Sequence, residues 1–416
     1  MVLHAPITST PITKIKRRNL LAISLTRVLH GFGLDIFNVV YQPFLLELTN
    51  SLLITGIIVS IGSVMQFLPM PLIGKMSDKY HRKILITASM PITIIGITFF
   101  IISNPSAIYY AIIGIMIYFL GFTLNNLNSQ FAIAENTDKS KGFIYGIMFF
   151  AFFGGRLTGS SFLIIASWIE TRMYFLIFIC ILAIEGLIFG FLLSNKNQMA
   201  SRNSLTFYNN SKKKENLWLK VIKTKTLRSI LIFFTLDIFV YGLSLTIYNA
   251  GLRDYYQLTK GDLALLSISF NLTNMIFQIP AGRITDKLGN KTTLILSQIF
   301  GLGFFLMNII AFSLWSTAIY LWLIPILIIG MASLALSVCT FVPAEQVILT
   351  NLGENRKAES YGIISFARGI GYIPTGYIGG FLVENLNYVA PFIFSTIGVF
   401  VEILFLLRFF HHHPQT

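Results

Sequence analysis

The sequence predicts an all-α membrane protein with twelve transmembrane helices in two pseudosymmetric six-helix bundles. Three observations carry this fold class. Hydrophobic residues make up 55% of the 416-residue chain and charged residues only 12%, where a soluble domain has roughly 25% charged residues. That deficit leaves too little polar side chain to solvate a globule of this length. Twelve apolar runs approach or exceed the roughly 20 residues needed to cross a bilayer. Finally, the box Gly74-Lys-Met-Ser-Asp78-Lys79-Tyr-His81-Arg82-Lys83 returns half a chain later as Gly282-Arg-Ile-Thr-Asp286-Lys287-Leu-Gly289-Asn290-Lys291. Each copy sits in a short polar break between long apolar runs, which is the mark of an internal repeat.

The runs are read at 19–47, 52–73, 84–103, 107–134, 142–167 and 173–194, then 227–251, 262–281, 292–314, 317–349, 358–383 and 387–410. The first carries Arg27, His30 and Asp35, with Asp35, Asn38 and Gln42 on one helical face. The second ends at the first box, and the third is apolar. A stripe of Gly121, Asn125, Asn128 and Glu135 marks the fourth. The fifth carries Arg156 among Tyr145, Phe149 and Phe152, and the sixth carries Glu185. The seventh carries Asp237, followed by Tyr241, Ser244 and Tyr248 on one stripe. The eighth shows Ser267, Asn271, Asn274 and Gln278 and ends at the second box. The ninth is apolar. Glu345 follows Pro343 in the tenth, where a gate or kink role is expected. Arg368 lies mid-span in the eleventh, among Tyr361, Ser365, Tyr372 and Thr375. The twelfth reads as apolar at mid-depth, with Glu402 within two turns of Arg408. Lys141, Tyr145 and Gly146 at the start of the fifth span match Lys357, Tyr361 and Gly362 at the start of the eleventh, so the repeat extends beyond the boxes.

Domain limits follow: a tail at 1–18, an N-terminal half at 19–194, a basic linker at 195–226, a C-terminal half at 227–410 and a tail at 411–416. Around Leu217, Trp218 and Val221 the linker has the pattern of an amphipathic helix on anionic lipid, or of a solvated loop. The net charge of +14 suggests nucleic acid in a soluble protein. Here the basic residues fall on one side of the spans. Lys14, Lys16, Arg17, Arg18, both boxes, the linker, Arg356, Lys357 and Arg408 lie there, against Arg172, Arg253 and Lys260 on the other. The bias places both termini and the linker in the cytoplasm, in a multi-pass protein of the plasma membrane with no nucleic-acid partner. No removable signal peptide is expected at the polar N-terminus. Cys180 and Cys339 lie in apolar runs without metal-ligand spacing and read as small buried hydrophobes. His411-His412-His413 is too poor a cluster to predict a metal site. No metal box, nucleophile–base pair or phosphate loop is found, so an enzyme is not expected; the glycines at Phe153-Gly154-Gly155 lack the lysine of a phosphate cradle.

The boxes resemble the signature of the major facilitator superfamily, G-x-L-x-D-x-x-G-[RK]-[RK] between spans two and three. Gly74, Asp78, Arg82 and Lys83 match, Met76 is conservative, and His81 departs from the second glycine. The copy keeps Gly282, Asp286, Gly289 and Lys291, with Asn290 off pattern. Gly74 and Gly282 are expected to let helices approach closely. The resemblance implies the twelve-helix fold of that family and a role for Asp78 and its basic neighbours in latching the two halves at the cytoplasmic side. His81 argues against a positive-φ turn at its position. The resemblance also implies that spans one, four, seven and ten line a central cavity, walled by two, five, eight and eleven.

The polar stripes fall on those spans, which places Asp35, Asn38, Asn125, Asn128, Arg156, Asp237, Tyr241, Asn271, Asn274 and Arg368 as candidates for solute or proton contacts. Arg27 is expected to pair structurally with Glu135, His30 to be a packing histidine, and Glu185 to titrate or pair with an arginine. The expected function is proton-coupled secondary transport of a small organic solute by a monomer in the lipid bilayer, without a cofactor beyond the proton gradient. Export of a drug or metabolite is preferred, although the antiporter motif G-x-x-x-G-P-x-x-G-G is replaced by Gly154-Gly155-Arg156-Leu157-Thr158-Gly159 in the fifth span. Uptake or exchange of an organic anion through Arg156 and Arg368 is the alternative. A non-transporting sensor or scaffold is the alternative of another class.

Overall fold

The computed structural model describes residues 11–136, 141–194, 225–313, 320–352 and 357–409. The linker reading around Leu217 and the histidine tail lie outside these residues. Among the described residues every regular element is a helix. The first six spans are Pro11–Thr49, Leu52–Phe67 with Met70–Lys79, Arg82–Ile102, Tyr109–Glu135, Lys141–Ile165 and Thr171–Leu192. The second half begins with Lys225–Leu245 and Tyr248–Tyr256 as the seventh span. The eighth and ninth are the two arms of Lys260–Ser313, the tenth is Tyr320–Leu352, the eleventh is Lys357–Tyr372 with Thr375–Asn385, and the twelfth is Ala390–Phe409.

By length and composition, ten stretches among the described residues are apolar enough to cross a membrane. Two features reconcile ten with twelve. The eighth and ninth spans run together at the second box, and the eleventh is broken and carries Glu359, Arg368 and Glu384. The breaks have sequence causes. The second span divides before Pro69–Met70 and the eleventh at Ile373–Pro374, beside each other, with the Phe67 and Tyr372 rings 5.5 Å apart. Proline lacks the N–H that would continue the helical ladder.

The two boxes turn differently. Gly289 has φ 76 and ψ 162, a conformation open to glycine without strain. His81, its counterpart, sits at φ −68 in extended backbone, as N-cap of the third span. The departure from the pattern at His81 therefore corresponds to a different local turn.

Small residues set the helix crossings. With no hydrophobic drive between helices in lipid, close backbone packing supplies the association. A Cβ on Gly56 would lie 2.0 Å from the Gly376 carbonyl oxygen, where the second and eleventh spans cross. Toward the box end the same two spans meet again: a Cβ on Gly74 would lie 2.4 Å from the Ala358 oxygen, and one on Gly362 would lie 2.5 Å from the Met70 oxygen. Gly282 differs from the expectation, since nothing lies within 4 Å of its Cβ position. Close approach explains the first box glycine and not its copy.

Each half has an aromatic core. Phe37, Phe100, Tyr118, Phe175 and Phe178 pack together in the N-terminal half, with Phe37 and Tyr118 centroids 4.2 Å apart. Tyr248, Phe304, Phe305, Phe312 and Phe392 do so in the other. Large apolar side chains face outward, Trp168 at 84% and Phe191 at 81% exposure, as a lipid-facing surface requires. Cys339 is buried as expected, but Cys180 is exposed, on the outward face of the sixth span.

The crossing at Gly56 generates a test. Gly56→Leu forces backbone apart and is expected to lower thermal stability in detergent by about 1–3 kcal/mol; an unchanged unfolding midpoint would contradict the close crossing.

Candidate functional site

A cavity of about 310 Å³ lies between the halves. Asn38, Tyr41 and Gln42 of the first span, Arg156 of the fifth, Tyr248 and Asn249 of the seventh, Ser267 and Phe270 of the eighth, and Met331 and Leu334 of the tenth line it. Among the described residues the second, fourth and eleventh spans contribute no lining residue, contrary to the expected set. The volume lies at the lower end of the range for small-molecule sites.

Glycines place the charge at its floor. Cβ atoms on Gly155 and Gly159 would lie 2.1 and 2.5 Å from the Val28 and Phe32 carbonyl oxygens, so the fifth span lies directly on the first. That contact puts Arg156 and Ser160 against Asp35, which is 0% exposed. Arg156 donates from Nε at 2.9 Å and lies 2.8 Å away through Nη2, both to Asp35 Oδ1. The Ser160 hydroxyl donates to Oδ2, Ser267 Oγ lies 3.0 Å from Oδ1, and Asn271 Nδ2 donates at 3.0 Å. Ser267 and Asn271 belong to the opposite half, so one carboxylate ties the two bundles together. The Arg156 guanidinium also lies 5.4 Å from the Phe270 ring centre, a cation–π contact at the cavity wall.

Amides link the two halves beside the cavity, toward the end opposite the first box. The Asn249 backbone N–H donates to Gln42 Oε1 at 2.9 Å, Asn249 Nδ2 to the Asn38 oxygen at 3.1 Å, and Gln42 Nε2 to the Leu245 oxygen at 3.2 Å. The break in the seventh span before Tyr248 makes this possible, because it turns Asn249 toward the first span.

Asp237 and Arg368 are absent from the lining, in contrast to the sequence reading. Asp237 accepts from Gln298 Nε2 at 2.7 Å, and Tyr241 donates to Gln298 Oε1 at 3.1 Å and meets Ser337 at 3.2 Å. Arg368 is ion-paired to Glu345 and stacks 5.4 Å from Phe234. Both belong to the interior of the C-terminal bundle, because the ninth and tenth spans supply polar partners there. The asparagines divide likewise. Asn271 joins the Asp35 cluster, whereas Asn125 accepts from Ser129 at 2.9 Å, Asn128 from Ser77 at 2.8 Å, and Asn274 from Cys339 at 3.2 Å, all buried packing contacts away from the lining.

Arg27, Glu135, His30 and Glu185 have further partners, and Arg27 also acts electrostatically on Glu185. Glu135 accepts from Arg82 Nε at 3.0 Å, while Arg27 lies 5.8 Å from the Phe152 ring. His30 is more than a packing residue: its Nδ1 lies 3.1 Å from Glu185 Oε2, so a histidine is the hydrogen-bond partner of Glu185. Glu185 is fully buried in the sixth span.

Carboxylates hold both ends of the second and eleventh spans. At the box end, Asp78 Oδ2 accepts the Glu359 N–H at 3.0 Å, in the first turn of the helix that starts at Lys357. Arg82 stands 3.6 Å from Asp78 and bonds Ser77. At the opposite end, Glu384 Oε1 accepts the Leu53 N–H at 3.0 Å and the Ser51 hydroxyl at 2.6 Å, at the start of the helix Leu52–Phe67. A negative charge fits the exposed N–H groups and positive dipole end of a helix. Each half thus holds the other's helix start. Sequence reasoning missed Glu384; its available signal was a carboxylate at the polar end of the eleventh span. In the second box Asp286 is exposed, and Lys291 donates to the Leu407 oxygen at 3.0 Å. Lys83 is partly exposed at the start of the third span.

The sequence matches the family model of the Major Facilitator Superfamily over residues 23–249 and again over 230–416. No curated protein matches the chain. Solved structures share its fold at low identity. The human organic anion transporter MFSD10 (TETRAN) aligns with TM-score 0.68 and 13% identity over 94% of this chain and 99% of that one. The nucleoside transporter NupG aligns in a point-mutant form with TM-score 0.72 and 14% identity over 94% and 100%, and in a second structure with 0.68 and 14% over 94% and 98%.

Two tests follow. Arg156→Ala strands a buried carboxylate and should cost about 3–5 kcal/mol of stability, with Arg156→Ala/Asp35→Asn recovering part of it in thermal unfolding. Asp78→Ala should leave expression near normal and open the box end, while Glu384→Ala opens the other. Each loses a cap of about 1 kcal/mol, which spin-label distances between the second and eleventh spans would register as opposite shifts; identical distributions would argue against both latches.

Proposed function

The chain belongs to the major facilitator superfamily, and from that premise we propose that it is a proton-coupled secondary transporter of a small organic solute, working by alternating access. The observation that carries this reading is the cavity of mixed polar and apolar lining between two halves whose second and eleventh spans are latched at both ends. A site held between two breakable latches is what rocking of one half against the other requires. The basic residues of both boxes lie at one end, with Arg172, Arg253 and Lys260 at the other, which supports a cytoplasmic box end in the plasma membrane.

The lining suggests the solute class. Arg156 is matched by Asp35, so the cavity floor carries no net charge when the pair is formed. Carboxamides of Asn38 and Asn249 and the rings of Tyr248 and Phe270 offer hydrogen bonds and flat apolar walls. A neutral, planar, hydrogen-bonding solute of nucleoside size fits that chemistry, and one of the similar structures is a nucleoside transporter. The second reading, an organic anion, rests on the Arg156 guanidinium at the wall, and another similar structure is an organic anion transporter. We take the direction to be export by proton antiport.

Uridine and benzoate serve as probes of the two readings in a thermal-shift screen at two pH values, within a wider panel of metabolites and drugs. A solute at about a hundred times its Kd stabilises by about 2.7 kcal/mol. Uridine is expected to stabilise and benzoate not; the reverse favours the anion reading. For the solute that binds, influx into liposomes should make the lumen alkaline under antiport. Acidification would mean symport, flux without a pH change would end the proton coupling, and no flux of any panel member would end the carrier reading.

A further inference from the structure

Each half buries a carboxylate on its last span, against its first. In the N-terminal half Glu185 of the sixth span meets His30 of the first at 3.1 Å. The equivalent place in the C-terminal half holds Glu402 of the twelfth span, which acts electrostatically on Asp237 of the seventh. A histidine can neutralise a carboxylate; a second carboxylate cannot. Glu402 is 0% exposed, and neither of its carboxyl oxygens has a hydrogen-bond partner among the described residues.

We infer that Glu402 and Asp237 form a proton-binding site inside the C-terminal bundle, separate from the solute cavity. The argument is one of charge and burial. The groups that face this pair are Tyr241 on the seventh span, Gln298 on the ninth, Ser337 and Glu345 on the tenth, and Arg368 on the eleventh. Among the described residues Arg368 is the cation of the cluster, and its ion pair is with Glu345. Arg368 thus serves Glu345 and Asp237, and Glu402 adds a third carboxylate against Asp237 with no cation of its own among the described residues. With all of them ionised, two negative charges stand uncompensated in a bundle that lipid surrounds. An unpaired buried carboxylate is far more costly than its protonated form. Asp237 accepts from Gln298 whereas Glu402 has no donor, so a proton held by the pair relieves Glu402 most. When two carboxyls interact, the proton belongs to the pair. The Asp35 oxygens, by contrast, already receive Arg156, Ser160, Ser267 and Asn271.

The arrangement links proton occupancy to conformation without a shared solute contact. Tyr241 bridges Gln298 and Ser337, so the ninth and tenth spans sense the charge on Asp237 through one hydrogen-bond chain. Ser337 lies one to two turns along the tenth span from the cavity residues Met331 and Leu334. This inference deepens the proton coupling proposed above and rests on that reading for its role in transport, but the site itself can be tested without a solute.

Full-length protein in liposomes is titrated from about pH 5 to about pH 9, a range that spans the known values of buried carboxyls. Infrared difference spectroscopy follows the carbonyl stretch of protonated carboxyl groups. The native protein is expected to show a band that is lost as pH rises. Glu402→Gln should abolish it, and Asp237→Asn should displace its loss along the pH axis. A band that does not change with pH in the native protein, or that is the same in both variants, overturns the site. If Glu402→Gln fails to fold, an unaltered titration in Asp237→Asn overturns it alone. A band that behaves as expected in a protein whose solute flux moves no protons supports the site and removes the coupling reading.

Discussion

Water does not reach the middle of a bilayer, and that constraint organises the whole molecule. Every polar side chain at mid-depth must find its partner inside the protein. Glycine decides which partners meet. The first and fifth spans touch backbone to backbone at Gly155 and Gly159, and only that proximity brings the Arg156 fork to the Asp35 carboxylate. The second and eleventh spans touch in the same way at Gly56 and Gly376 and again at Gly74 and Gly362. A larger residue at these points would hold the helices apart and leave charges without counter-charges.

Asp35 has a consequence beyond neutralising Arg156. It accepts from Ser267 and Asn271 on the eighth span as well as from the first half's own fifth span. Relative motion of the halves must either keep the fifth and eighth spans together as a hinge or exchange these hydrogen bonds. The short distances favour the hinge, because an exposed acceptor in a dry site is expensive. The latches have the opposite character. Asp78 and Glu384 bind backbone N–H groups at the edges of the structure, where water can replace a lost bond. Strong, dry contacts at the centre and replaceable ones at the ends suit the rocking motion proposed above.

The two halves share this framework and differ in what they bury. The N-terminal half pairs its inner carboxylate with a histidine, and the C-terminal half sets Glu402 against Asp237, which shares Arg368 with Glu345. Duplication supplied the positions, and divergence of single residues on the first and seventh spans gave the halves different electrostatics. The cavity lies between them and borrows its charge from the N-terminal side.

Much of this was legible in the sequence. The charge deficit, the length of the apolar runs and the doubled box are one-dimensional properties, and they specify twelve spans in two halves before any contact is known. The placement of Asn38 beside Asp35 on one face, and of Asp78 in a repeated polar break, follows from helical period and from resemblance. Which way a helix faces is a different matter. Asp237 and Arg368 have the same mid-span signature as Asp35 and Arg156, yet they point into a bundle where Gln298 and Glu345 await them. The twelfth span looked apolar because Glu402 is one residue among many, and its isolation appears only when its neighbours are known. Glu384 falls just outside the apolar run at 358–383, and its use appears only with the start of the second helix against it. Hydrophobic length is additive along a chain and can be read from it. A partner comes from a residue hundreds of positions away, and only the packing of the spans decides which one it is.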